Sequence, residues 1–106
     1  MNLWEERAAR NEALFREVNE QIERLAATSG EADFMCECSN ADCNARLRVP
    51  VAVYENVRAN PRAFLILPAH QQTEIERIVG KSDDYLIVEK DGTAGRIAER
   101  TDPRDE

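Results

Sequence analysis

The rhythm of apolar and polar positions changes once, sharply, near residue 30. Before that point Trp4, Ala8, Asn11, Phe15, Val18, Ile22 and Leu25 recur in steps of four and three, while Glu5, Glu6, Arg7, Glu12, Arg16, Glu17, Glu20, Glu23 and Arg24 fall elsewhere. That spacing predicts a single amphipathic helix with an a/d stripe. Asn2 followed by Glu5 supplies a capping box, and Thr28-Ser29-Gly30 supplies the stop. A helix of roughly 25 residues spans about 37 Å, more than the diameter of about 33 Å expected of a compact chain this size. The end carrying Trp4 and Ala8 is therefore expected to overhang.

After Glu31-Ala32-Asp33 the segments shorten. Phe34-Met35-Cys36-Glu37-Cys38 alternates as a strand does, Ser39-Asn40-Ala41-Asp42 is turn-rich, and Ala45, Leu47 and Val49 alternate with Asn44, Arg46 and Arg48. This reads as a hairpin with Cys43 at its returning corner. Pro50 opens a second helix of about three turns that carries Val53, Tyr54 and Val57 on one face and ends at Asn60-Pro61. Phe64-Leu65-Ile66-Leu67 reads as a buried strand closed by Pro68, and Tyr85 to Glu89 as another. Glu74 to Val79 fits a short helix or a strand, and Ala94 to Ala98 fits an edge strand or a helical turn. The expected fold class is α+β: a long N-terminal helix, a cysteine hairpin, a short helix and a small, mainly antiparallel sheet, stapled by zinc. The expected divisions are a helix over 1–29, a metal-binding domain over 30–98 and a frayed acidic tail over 99–106. Core candidates are Phe34, Leu47, Val49, Val53, Tyr54, Val57, Phe64, Ile66, Ile78, Leu86 and Val88, with part of the Phe15, Val18, Ile22, Leu25 stripe.

Composition narrows the function. With 106 residues, 42% hydrophobic, 33% charged and only 4 Gly and 4 Pro, the chain is one globular domain rather than a multidomain enzyme or a disordered segment. Its net charge of −7 repels phosphate backbones, and the basic residues form no patch, so no nucleic-acid partner is expected. No apolar run approaches the roughly 20 residues of a membrane helix. With the charged start Met1-Asn2-Leu3-Trp4-Glu5-Glu6, this gives a cytoplasmic expectation, without membrane attachment. Three cysteines in a reducing compartment then point to metal ligation or thiol chemistry before a disulfide.

The chemistry concentrates in Cys36-Glu37-Cys38-Ser39-Asn40-Ala41-Asp42-Cys43. Zinc takes four ligands at tetrahedral corners, and this loop offers three. The single histidine, His70, follows the strand that ends at Pro68 and completes a Cys3His set; Asp42, Glu37 or a water are the other candidates for the fourth position. A bulge or tight loop is expected at Glu37 to bring both sulfurs of the Cys-x-Cys to one ion. Glu37 itself reads as a solvated turn residue, and Asp83-Asp84 as a turn rather than a calcium loop. No phosphate-cradling glycine loop, serine elbow or His-Glu-x-x-His occurs. The zinc-deaminase order is also absent, since the cysteines here precede the histidine.

Arg10-Asn11-Glu12, Leu14 to Glu20, Phe34-Met35-Cys36-Glu37-Cys38 with Cys43, Tyr54-Glu55, Val57-Arg58, Pro61, Phe64 and Pro68-Ala69-His70 together resemble a group of small uncharacterised bacterial proteins. The resemblance spans most of the chain. It implies a cysteine-plus-histidine metal site in a compact module and carries no activity with it. The expected function is a small zinc-binding interaction or regulatory module without catalysis. A thiol redox sensor using Cys36, Cys38 and Cys43 is the alternative, and a small metal-dependent hydrolase a more distant one. The N-terminal helix is the expected partner-facing element, in a homodimer or against another protein.

Overall fold

The computed structural model describes residues 3–26, 30–38, 43–72 and 75–102, with the backbone alone for 3–9. The order of elements is α1 (Leu3–Leu25), β1 (Glu31–Met35), β2 (Arg46–Pro50), α2 (Val51–Arg58), β3 (Ala63–Ile66), β4 (Glu76–Lys81), β5 (Leu86–Lys90) and α3 (Gly92–Arg100). The fold is α+β, with two small antiparallel sheets: the β1–β2 hairpin and a three-stranded sheet in the order β3-β5-β4.

In the hairpin the alternation works as the sequence predicts. Ala32 and Phe34 face inward opposite Val49 and Leu47, while Asp33 lies opposite Arg48 on the outer face, 3.3 Å from it. Pro50 at the end of β2 has an extended φ of −58° and ψ of 140° and starts α2 directly, which lays Tyr54 on Phe34 with ring centroids 4.4 Å apart. Stacked aromatics at that distance add to the burial of both rings. All four residues of β3 are buried, as befits a strand covered on both faces. The ambiguous stretch after Glu74 is strand, and its register slips between Ile78 and Gly80, so Val79 is an extra residue in the edge strand β4. Residues 94–98 are helical within α3, where Gly95 permits close approach: a Cβ there would sit 2.7 Å from the Lys90 carbonyl.

Most of the core candidates are buried, with five exceptions. Val53 is only half-buried, Ile78 is 47% exposed because β4 lies at the sheet edge, and Leu25 at the end of α1 is 90% exposed. The other two lie in the rest of the stripe. Phe15 is buried, but Val18 and Ile22 are only half-buried, because α1 presents a different face to the fold: Glu12, Phe15, Arg16, Asn19 and Glu20. The acidic tail is ordered further than expected. Glu99 lies in α3 and pairs with Arg62, and Asp102 is held by Arg58. The N-cap at Asn2, the stop at 28–29, Glu74 and residues 103–106 lie outside the described residues, as do the side chains of Trp4 and Ala8.

The buried face of α1 carries charge because every charged head has a partner. Arg16 is fully buried, donates to the carbonyls of Pro61 (2.7 Å) and Ala98 (2.6 Å), and lies over the Phe64 ring at 4.4 Å. Arg58 is bracketed by Glu20 at 2.8 Å and by Asp102. Lys90 on β5 is held between Glu12 and Glu76. Burial pushes the Glu12 carboxyl up to about 7, against the pull of Lys90. Buried charges of this kind are tolerated only when paired and hydrogen-bonded.

Candidate metal centre

Cys36, Cys38, Cys43 and His70 meet at the end of the hairpin, their ligand atoms all within 4.8 Å of one another. Such a group can hold a metal ion. The three cysteines are free thiols, Cys36 and Cys38 buried and Cys43 half-buried. His70 Nδ1 lies 3.5 Å from Cys36 Sγ and 3.7 Å from Cys43 Sγ. The four candidate residues read from the sequence are thus brought together. Of the other candidates for the fourth ligand, Asp42 lies outside the described residues, and Glu37 points away from the cluster.

Glu37 also corrects two expectations. No bulge is needed there: extended chain puts residues i and i+2 on one face, so Cys36 and Cys38 already share a side. Indeed Cys36 N–H still donates to the Ala45 carbonyl at 3.0 Å, one residue past the end of β1. Nor is Glu37 solvated; it is fully buried on the opposite side. Its carboxylate accepts from Leu65 N–H (2.9 Å), Asn19 Nδ2 (2.8 Å) and the Tyr54 hydroxyl (2.7 Å), and its own N–H donates to the Leu65 carbonyl at 2.8 Å. One residue therefore fastens the Cys-x-Cys segment to β3, α2 and α1. Burial raises the Glu37 carboxyl above the usual range, while the donors from Asn19, Leu65 and Tyr54 pull it back.

The histidine arrives by a tight turn. His70 N–H donates to the Leu67 carbonyl at 3.2 Å, Pro68 sits at the second position and Ala69 at the third with φ of 72°. That is the pattern of a type II turn, whose third position calls for positive φ. The same turn aims Leu67 N–H at Cys36 Sγ, 3.2 Å away. Asn19 closes the arrangement from the α1 side. Its amide donates to the Met35 carbonyl at 2.9 Å and accepts from Met35 N–H at 2.7 Å, standing in for a neighbouring strand.

The thiols are held in an environment that disfavours charge in the absence of a cation. The adjacent Cys38 and then burial raise the Cys36 thiol well above its usual range, and burial raises Cys43. Glu37 and Asn19 are the site-supporting residues that the sequence did not reveal. Asn19 lies among the polar positions of a helix whose apolar stripe pointed elsewhere, and a carboxylate between two cysteines resembles any exposed turn acid. No protein-family model, curated protein or solved structure matches the chain. Among the described residues no helix is long and apolar enough to cross a membrane.

Proposed function

We propose that the protein is a small zinc-stapled interaction module, in which Cys36, Cys38, Cys43 and His70 hold one Zn2+ and α1 is the partner-facing element. The observation that carries the metal reading is the spacing of the ligand atoms. With sulfur at about 2.3 Å and nitrogen at about 2.0–2.1 Å from zinc, a tetrahedron has sulfur-to-nitrogen edges of about 3.6 Å. Two of the six ligand-atom separations, 3.5 and 3.7 Å, bracket that length, and all six lie within 4.8 Å. Thiolates with an imidazole suit zinc by softness and geometry. Four protein ligands leave no position for a substrate or water, which is the mark of a structural rather than a catalytic site.

The burial of Cys36 and Cys38 supports this reading over a redox sensor, which works through solvent-accessible thiolates. Native mass spectrometry of the zinc-reconstituted chain should show one bound ion, lost on chelation together with a fall in melting temperature. Cys43→Ala and His70→Ala should each weaken zinc retention. A chain that takes up no zinc on reconstitution and melts at the same temperature with chelator would overturn the proposal.

A further inference from the structure

The buried polar face of α1 leaves two leucines, Leu14 and Leu25, exposed on the outside. Counted in heptads, Asn11, Val18 and Leu25 take position a, and Leu14 and Gln21 take position d. With about 100° of turn per residue, this seam lies roughly 150° around the helix from the face that holds Arg16 and Asn19. Leu14 is 57% and Leu25 90% exposed, and Gln21 is exposed. The g positions beside the seam alternate in sign, as Arg10, Glu17 and Arg24, all exposed. The e positions on the other side are Phe15 and Ile22, which lean toward the core.

We propose that α1 pairs antiparallel with α1 of a second copy of this chain. Leu14 packs on Leu25 of the second copy and Val18 on its Gln21. Charge complementarity selects this register. It places Glu17 beside Arg24 of the second copy, twice by symmetry. Sliding the helices by one heptad, to oppose Leu14 and Val18, would set Glu17 against Glu17 and Arg10 against Arg24. A parallel pairing in register would set Glu17 against Ile22 and Arg10 against Phe15, with no ion pair. An isologous pairing of this kind closes on itself, since each patch is its own complement. The seam faces away from the globule, so the two folded bodies lie on opposite sides of the helix pair.

The proposal rests on α1 being the partner-facing element and not on the metal, so a zinc-bound monomer would end it and leave the metal reading intact. The test is sedimentation equilibrium of the full, zinc-reconstituted chain from about 5 to 500 µM. Wild type should pass from monomer to dimer. Leu14→Glu combined with Leu25→Glu, at exposed positions the fold does not use, should remain monomeric with an unchanged circular-dichroism spectrum. Glu17→Arg and Arg24→Glu should each weaken dimerisation by about three- to tenfold, as two lost surface ion pairs would, and the two together should restore it. A wild type that stays monomeric over the whole range overturns the proposal. So does a dimer indifferent to the leucine changes, or one in which the double charge swap fails to restore what the single swaps remove.

Discussion

The candidate metal centre and the polar seam beneath α1 are both built from groups that prefer water, yet they are assembled in opposite ways. At the metal centre the ligands come from one eight-residue stretch and one turn, and local geometry aims them: the end of a hairpin for the cysteines, a type II turn for His70. Under α1 the partners are distant in the chain. Arg16 reaches the Ala98 carbonyl, Glu12 reaches Lys90, and Arg58 reaches Asp102. A metal site of this kind would add to stability only once its ion is bound. A seam of long-range pairs needs no cofactor, but it leaves a charge uncompensated whenever one partner is removed.

The largest expected effect is therefore metal removal. Structural zinc contributes an apparent 10–16 kcal/mol in small zinc peptides near neutral pH, as much as a whole domain's usual stability of about 5–15 kcal/mol. Chelation should lower the melting temperature by roughly 15 °C or more. Hydrogen exchange should show the loss concentrated at residues 34–38, 43–47 and 67–70. If exchange rises equally under α1 and at the hairpin, the two regions are not separable.

Glu37 joins the two regions and should rank next. Glu37→Ala strips three donors of their acceptor, namely Asn19 Nδ2, the Tyr54 hydroxyl and Leu65 N–H, and opens a void beside them. A loss of about 3–5 kcal/mol is expected in denaturant titration. Zinc affinity should fall about 10–100-fold in a competition assay, as when groups supporting metal ligands are removed. Loss of stability with full zinc affinity would place Glu37 in the seam alone.

Arg16→Met addresses the seam without removing a hydrogen bond at the candidate metal centre. The carbonyls of Pro61 and Ala98 would lose their donor, and Phe64 its cation. Burial and the nearby Arg58 already hold the Arg16 guanidinium below its usual range, so removing its charge offsets part of the loss. A net cost of about 2–3 kcal/mol is expected, with faster exchange in α3 and unchanged zinc affinity.

The same contrast explains what could be read from sequence. The cysteine set, the hairpin, α2 and the strands β3 and β5 were legible because each has a short-range signature: spacing, alternation or a proline. The orientation of α1 was not. Its apolar stripe is real, but the residues that dock the helix are Glu12, Arg16, Asn19 and Glu20, whose burial is favourable only because Lys90, Arg58, Met35 and Glu37 meet them from elsewhere. Helical periodicity reports hydrophobicity, not the arrival of distant partners. Glu37 was misread for the same reason. The order around residues 99–102 was missed because a charged terminus looks frayed unless its ion-pair partners, here Arg62 and Arg58, are known.

A smaller effect should separate the regions by pH. Glu12 ionises near 4.5 when unfolded and at about 7 when folded, so the native state binds its proton more tightly. The stability this contributes is fully present below pH 4.5 and is lost as pH rises through 7. Zinc binding runs the other way, since its ligands must be deprotonated. In zinc-saturated protein, the stability difference between Glu12→Gln and wild type should grow by roughly 2–3 kcal/mol in favour of the variant from about pH 5 to about pH 8. A difference that stays flat with pH would mean that Lys90 keeps Glu12 ionised throughout.

The smallest expected effect lies at Ala69. A non-glycine residue at positive φ costs about 1 kcal/mol or more, and Ala69, with φ of 72°, carries that strain in the turn that delivers His70. Glycine would remove the strain and would lose about 0.4–1 kcal/mol through the greater freedom of its unfolded chain. Ala69→Gly in zinc-saturated protein should therefore lie between neutral and about 1 kcal/mol more stable, with zinc affinity unchanged. Ala69→Val, whose branched side chain tolerates this backbone poorly, should lose about 1–2 kcal/mol. Thermal melts with and without zinc read both effects. If the turn alone aims the histidine, the valine penalty appears in both states. If the metal draws His70 into place and the turn follows, the penalty appears only with zinc bound, and the local aiming attributed to this end of the molecule would belong to the ion instead.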